Sequence, residues 1–500
     1  MDARATYEIE SSPELTRNLR MVLLDGIFSQ LMVGLTSGVI LINFALDLGA
    51  SNLIIGAIAA IPLFGQIFQI PSIYFVEKYK KRKLVALVGG FGSRSSYVLI
   101  ILLPLFIPDQ QALWWLLAFL LLHSISSAIT SCGWSSWMHD LIPKEKRSIF
   151  FSRRMAKSLA VSIPTMLFAG FLLDWWEARG VGIWPYSLFF SLGLVFGLIS
   201  MVFITKTGEP AYESESMPMR TGNDFKKLLV TPLRNQNYRN MLIFLMLLNF
   251  AIFLASPFYA VYLLDRINLD VWLVMLLTII SQVLNVLFLS IWGRIADNYS
   301  NTAVLNACTL LLVICMIAWT FTTLPSVHFF TLPLLFIIHS LTGIAMAGIN
   351  LSSLNIGLTL APKGKATSYL ALKNFLNSII AGIAPIIGGL FVDFFKGIEF
   401  SIIMQWISPE SGELVFYTLN FQYWDFFFFF AFIIGLVSLY WNTKIKEGDY
   451  PSGKLRAKTV LFEVKRSMRN FSSISTSKFQ RFMNFTKNNN KTKKYPSNSS

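Results

Sequence analysis

The sequence predicts an all-α polytopic membrane protein, with twelve transmembrane helices in two six-helix pseudo-repeat halves. Three observations predict it. Of 500 residues, 54% are hydrophobic and 14% charged, where a soluble chain carries roughly 25% charged residues; mean hydropathy is +0.57. The apolar residues fall in blocks of about 20, the length a bilayer core requires. The two halves of the chain also match one another at a constant spacing. The first two observations exclude a soluble enzyme.

Spans are expected near 21–48, 52–76, 84–107, 112–138, 155–176 and 184–204, then near 239–264, 271–293, 303–323, 329–357, 374–396 and 422–442. The polar leader MDARATYEIESSPELTRNLR has no small-residue cleavage site behind it, so the first span reads as a retained helix. The chain then divides into an N-terminal segment (1–20), a first half (21–204), a central loop (205–238), a second half (239–443) and a basic tail (444–500).

Alternate connections are basic. They hold Arg17 and Arg20, KYKKRK (78–83), PKEKRSIFFSRR (143–154), Lys226 and Lys227, then Lys363 and Lys365, while the intervening ones hold only Arg179, Arg266 and Lys396. The positive-inside rule therefore expects both termini and the central loop in the cytoplasm, with the chain in the plasma or inner membrane. The net charge of +15 is concentrated after Trp441, where 14 of the 42 basic residues stand against 3 acids. That stretch, rich in Asn and Ser, is expected to be disordered. Anionic lipid, at about 1 kcal/mol per basic side chain near the surface, is its expected partner rather than nucleic acid. Cys132, Cys308 and Cys315 lie inside spans at no metal spacing, so no disulfide framework, metal or cofactor is expected.

Self-similarity is the most informative feature. PKEKRSIFFSRR from Pro143 aligns without gaps on PKGKATSYLALK from Pro362. The offset that carries Pro143 onto Pro362 also places IPTMLFAGFLLDW (163–175) on IAPIIGGLFVDFF (383–395), Gly170 on Gly389 and Asp174 on Asp393. VEKYKKRK (76–83) matches ADNYSNTA (296–303) at nearly that offset. Two parallel-related halves of six spans are the architecture of a rocking transporter with its site at the midplane.

GRIADNYSNTA resembles the loop signature of the major facilitator superfamily, a Gly followed four residues on by an acid and then by basic residues. Gly293 and Asp297 match, whereas Asn298, Ser300 and Asn301 stand at the basic positions. The first-half copy keeps Glu77 with Lys80, Lys81 and Arg82 but has Ile73 for the Gly. GIAPIIGG (382–389), with Pro385, Gly388 and Gly389, is similar to the family's Pro-x-x-Gly-Gly element. The fifth span has only Ile163-Pro164 and Gly170, without the Gly-Pro version of the family's exporters, which speaks against a drug/proton antiporter. The resemblance covers roughly residues 20–443, and WSSWMHDLIPKEKRSIFFSRR together with LLDGIFSQ is similar to a prokaryotic branch. It implies that Glu77 and Asp297, accepting from free N–H groups at a neighbouring helix start, latch the cytoplasmic side when that side is closed.

Ionisable groups inside spans cost roughly 2.5–3.5 kcal/mol on insertion scales and need a reason. Arg94 lies about 11 residues beyond Lys83, or ~16 Å. It either bonds local carbonyls and the hydroxyls of Ser93, Ser95 and Ser96, or serves as counter-charge to an anionic substrate. Asp25, about five residues into the first span, either suits the macrodipole beside Arg20 or carries a coupling proton. Lys157 and Asp174, near the ends of the fifth span, are expected to snorkel or lie at the interface. His123 and His339 stand in matching His-Ser pairs, yet their spacing falls three short of the repeat offset, which puts Thr342 opposite His123. His339 and Gly343 occupy an Arg-x-x-x-Gly pattern of the superfamily's fourth span. His339, Gly343, Ala347 and Asn350 share one helix face, as do His123, Ser127, Thr130 and Trp134; Thr278, Ser281 and Asn285, with Gln282 beside them, form a third polar stripe. Such stripes face water or another helix.

The expected function is a secondary active transporter of a small organic solute, working as a monomer by alternating access, with Asp25, His123 or His339 as proton-coupling candidates. No G-x-x-x-x-G-K-[ST] loop occurs, so ATP hydrolysis by the chain is not expected. The alternative is a flippase for lysophospholipid or glycolipid on the same fold, with which the aromatic YWDFFFFFAF and the basic tail are compatible.

Overall fold

The computed structural model describes residues 13–69, 71–72, 76, 81–107, 109–210, 232–323, 327–362, 366–408, 412–447 and 466. Among them, eleven helical spans are long and apolar enough to cross a membrane, and Asn52–Phe68 is a shorter apolar one. In chain order the first half comprises α1 (Pro13–Thr36, continued by Val39–Asp47), α2 (Asn52–Gly65, with a 3-10 turn Gln66–Phe68), α3 (Arg82–Phe106), α4 (Asp109–Leu141), α5 (Lys144–Glu177) and α6 (Trp184–Thr205). The second half comprises α7 (Gln236–Val261), α8 (Val271–Asn298), α9 (Asn301–Ala318), α10 (Thr331–Thr359), α11 (Ala366–Phe395) and α12 (Tyr423–Asn442). Gly38, at φ +62°, makes the break in α1, a conformation costly for any residue with a Cβ.

One element departs from an all-helical chain. Between α11 and α12, β1 (Glu399–Ser408) pairs antiparallel with β2 (Gly412–Gln422), from Glu399 opposite Gln422 to Ser408 opposite Gly412, with a bulge at Ile402/Ile403. EFSIIMQWIS and GELVFYTLNFQ are rich in β-branched and aromatic residues, which suit a pleated ribbon. The hairpin lies at the end of the bundle opposite the connections rich in Lys and Arg, called here the basic face.

Hydropathy underestimates the helices at the basic face. The α4–α5, α8–α9 and α10–α11 connections are short because polar residues continue each helix past its apolar stretch. As a result Gly293 and Asp297 sit in the last turns of α8 rather than in a loop.

The repeat is visible in hydrogen bonds as well as in sequence. Asn18 Oδ1 of α1 accepts from Gly208 N at 3.0 Å, and Asn237 Oδ1 of α7 accepts from Lys446 N at 2.9 Å. Glu209 accepts from Lys83 N at the start of α3 (3.1 Å), and Glu447 from Thr302 N at the start of α9 (2.8 Å). Each carboxylate satisfies a free helix-start N–H and sits at the positive end of the dipole. One offset, that of Asn18 to Asn237, relates the halves from α1 to α5. From α6 onward it lengthens to that of Glu209 to Glu447, the difference being absorbed where the hairpin is inserted. Residues 205–210 and 444–447, assigned by sequence to the central loop and the tail, therefore pack onto the bundle.

Candidate functional site

The two halves are tied at the face opposite the basic one. Asp174, near the end of α5, accepts from Val271 N (2.8 Å) and Trp272 N (2.9 Å) at the start of α8. Asp393, near the end of α11, accepts from Asn52 Nδ2 (2.8 Å) and Leu53 N (3.0 Å) at the start of α2. The repeat offset carries Asp174 onto Asp393, and likewise Asn52 onto Val271 and Leu53 onto Trp272. Asp174 is thus neither snorkelling nor merely interfacial, because two free N–H groups of the other half fix it. Two of the expected packing residues serve the same contacts: a Cβ at Gly170 would run into Trp272 and Met275, and one at Gly389 into the backbone of Asn52 and Leu53. Gly388 instead packs within the second half, where a Cβ would meet Leu254 O and Phe258 of α7. Gly56 in turn lets α2 approach the carbonyl of Pro385. Named cross-half contacts thus run from the capped face towards the middle of the bundle.

Towards the basic face, α7, α10 and α11 line an open cavity of about 160 Å³ within the second half. Asn249, Asn350, Lys373, Asn374 and Asn377 supply its polar lining, with Leu242, Leu245 and Met246 among the apolar groups. Lys373 donates to Ser353 O at 3.1 Å, and Asn377 Oδ1 is buried without a partner in the structure. Of the sequence candidates, Asn350 lines this cavity. Lys373 and the other amides were not singled out by sequence, although Lys373 ends the PKGKATSYLALK match.

The other candidates fall elsewhere. Asp25 lies about twelve residues into α1, roughly 18 Å from its start, so it is far from the positive end of the dipole. Arg20, about five residues earlier, lies about 140° around the helix and does not pair with it. Instead Arg154 Nη2 of α5 donates to Asp25 Oδ2 (3.0 Å) and Ser200 Oγ of α6 to Oδ1 (2.7 Å). Arg154 Nε also donates to Val22 O (3.1 Å), and its guanidinium lies over the Trp134 ring, 5.0 Å from the centroid. Gly26 makes this geometry available, since a Cβ there would occupy the guanidinium's place.

Arg94 Nη1 donates to Ser93 Oγ (3.0 Å) and Gly90 O (3.4 Å), while its stem packs by Gly197 of α6. It is also near enough to Asp25 for their charges to attract. His123 Nδ1 is 2.9 Å from Ser93 O and its ring meets Tyr97 edge-on at 4.8 Å, so it belongs to the α3–α4 contact. His339 meets Trp319 edge-on at 5.6 Å, and its Nε2 is buried with no partner in the structure. The small residues beside it are packing positions: Gly343 abuts Ser281 O of α8, and the neighbouring Gly348 abuts Cys308 of α9. The stripe therefore faces other helices, and Asn350 alone of its four residues lines the cavity. Gln282 and Asn285 are half-buried in α8 and are not in that lining.

Among the gating candidates, Arg82 is buried at 1% exposure, paired with Asp140 and bonded to Pro210 O at 3.1 Å. Asp140 belongs to α4, so Arg82 anchors α3 to α4 rather than standing in a loop. Lys81 and Asp297 are exposed, Gly293 makes an ordinary contact with Leu351, and Glu77 lies outside the described residues.

The family model of the Major Facilitator Superfamily matches residues 24–385 and 250–480. The chain belongs to the major facilitator superfamily. Members of this superfamily are multi-pass membrane transporters rather than enzymes, and solved structures similar to this superfamily chain are of that kind. A point mutant of the nucleoside transporter NupG has 12% identity and a TM-score of 0.65, with 86% of this chain and 100% of that one covered. A D-xylose-proton symporter has 13% identity and a TM-score of 0.61, covering 87% and 99%. A bacterial homologue of the iron transporter ferroportin in an inward-facing state has 13% identity and a TM-score of 0.60, covering 86% and 98%. At such identities the likeness is one of fold. Among curated proteins none matches the chain by sequence.

Proposed function

We propose that the protein is a secondary active transporter that moves a small polar solute by alternating access, with the basic face cytoplasmic. The observation that carries this reading is the paired capping of α8 by Asp174 and of α2 by Asp393. These bonds close one face between the halves, while a polar cavity stands nearer the other. Rocking the halves would break both caps and open that face. Asp297 is then free to latch the opposite one, as the superfamily resemblance implies.

Proton coupling is assigned to Asp25, whose carboxylate has a partner set that protonation would break. Uptake and counterflow in proteoliposomes, with a panel of solutes and with and without a pH gradient, test both parts. Saturable counterflow of a solute, with gradient dependence lost in Asp25→Asn, is the expected result. No counterflow of any solute, or lipid scrambling in its place, contradicts the transport reading; gradient dependence that survives Asp25→Asn contradicts the coupling assignment.

A further inference from the structure

Arg154 and Lys373 occupy equivalent places in the two halves of the repeat and differ in what neutralises them. Around Arg154 are Asp25, Ser200, Trp134 and the space left by Gly26. The equivalent positions around Lys373 hold Phe244 for Asp25, Ser438 for Ser200, Ser353 for Trp134 and Leu245 for Gly26. The equivalence does not rest on sequence alone, since Asn18 and Asn237, each two helical turns before Asp25 and Phe244, make the same bond. Two details show that the counter-charge is missing rather than displaced. Ser438 Oγ, with no carboxylate to meet, turns back onto Gly435 O at 2.7 Å. From Asn298 to Val392 the sequence contains no acidic residue, and α7 contains none either.

Among the described residues, the first half thus supplies its own anion to a half-buried cation, and the second half does not. Lys373 stands at the basic-face end of the apolar stretch of α11 (Leu372–Phe395), without an acidic partner among the described residues, and it opens onto the cavity rather than into a packed interface. Asn249, Asn350, Asn374 and Asn377 stand around it as neutral donors and acceptors, with Asn377 Oδ1 unpartnered. We infer that the transported solute is a small organic anion whose carboxylate or phosphate group takes the place beside Lys373 that Asp25 takes beside Arg154, while the asparagines bond its polar remainder. This inference rests on the transporter reading above. It makes Lys373 a substrate-binding residue.

The test uses the full-length protein in proteoliposomes and in detergent, with succinate, benzoate, inorganic phosphate and glucose 6-phosphate as anionic probes and uridine and xylose as neutral ones. The wild type is expected to bind and transport at least one anion, with the carboxylates and phosphates separating the two headgroup chemistries. Lys373→Gln is expected to weaken that anion by about tenfold or more, the scale of a lost charge-assisted bond, and Lys373→Arg to retain most of it. Phe244→Asp, which restores the first-half pair, is expected to mimic Lys373→Gln. Protection of the wild type against thermal unfolding by the same anion gives a readout independent of transport. Transport of neutral solutes alone, or anion transport unchanged in a folded Lys373→Gln, overturns the inference and leaves the transporter reading intact. A wild type that neither binds nor transports any probe overturns the inference, and the counterflow panel above then decides the transporter reading by itself.

Discussion

Asp174 and Asp393 stand at equivalent positions of the two halves and perform one task from opposite sides, each capping the first turn of a helix in the other half. Both carboxylates use both oxygens, and each receives at least one backbone N–H that has no partner within its own helix. Closing this face therefore satisfies groups that separation of the halves would hand to water.

Removing one cap should weaken its own helix start. Asp174→Asn is expected to speed hydrogen exchange at Val271 and Trp272, and Asp393→Asn at Leu53, by about fivefold for a loss near 1 kcal/mol. Exchange that is unchanged at these amides in both variants would show that the caps carry no stabilisation.

The Asp25–Arg154 pair is largely buried, with side-chain exposures of 7% and 22%. Breaking it from either end leaves a charge or a buried amide without its partner, at a cost of about 3 kcal/mol. Asp25→Asn and Arg154→Gln should each lower the unfolding midpoint in detergent. The double variant should lose less than the sum of the two, a coupling that a double-mutant cycle reads directly. Strict additivity would mean that the pair does not act as a unit.

Glu447 holds the end of the described second half against α9, through Asn301 Nδ2 (2.7 Å), Thr302 N (2.8 Å) and Thr302 Oγ1 (2.6 Å). Glu447→Ala should release this segment at a cost of about 1–2 kcal/mol. Trypsin would then cut faster after the exposed Lys444 and Lys446. A cleavage rate equal to that of the wild type would contradict the docked arrangement.

His339 touches Trp319 and the packed α9–α10 contact, and it is not in the cavity lining. His339→Leu removes a buried ring nitrogen that has no partner in the structure, and replaces the ring by an apolar group of comparable size. Stability should hold or rise, and transport should stay within about twofold, because the change loses no polar contact. Loss of transport in a stably folded His339→Leu would return this histidine to the site.

Much of the fold was legible because apolar blocks report lipid and a fixed offset reports the repeat. Asp174 and Asp393 were already aligned with each other in the sequence, yet their role was not readable. Their partners are helix starts 97 and 341 residues away, selected by how the halves meet. The helix-dipole reading of Asp25 fails for a related reason. The helix begins at Pro13, well before its apolar stretch, so a residue counted as near the end lies more than three turns inside. His339 sits among apolar residues whether its neighbour is lipid, cavity or another helix, and composition does not separate these. Lys373 was the legible signal left unused: carrying the offset from Arg154 and Asp25 to position 244 finds a phenylalanine where a carboxylate is needed.

Alternating access is tested most directly by two distances measured in one protein, between spin labels at Arg179 and Lys396 across the capped face and at Lys206 and Thr359 across the basic face. In the double variant Asp174→Asn/Asp393→Asn the first distance should lengthen while the second shortens, because opening one face closes the other. Two distances that lengthen together, or a second that stays fixed while the first opens, would contradict a rocking transporter.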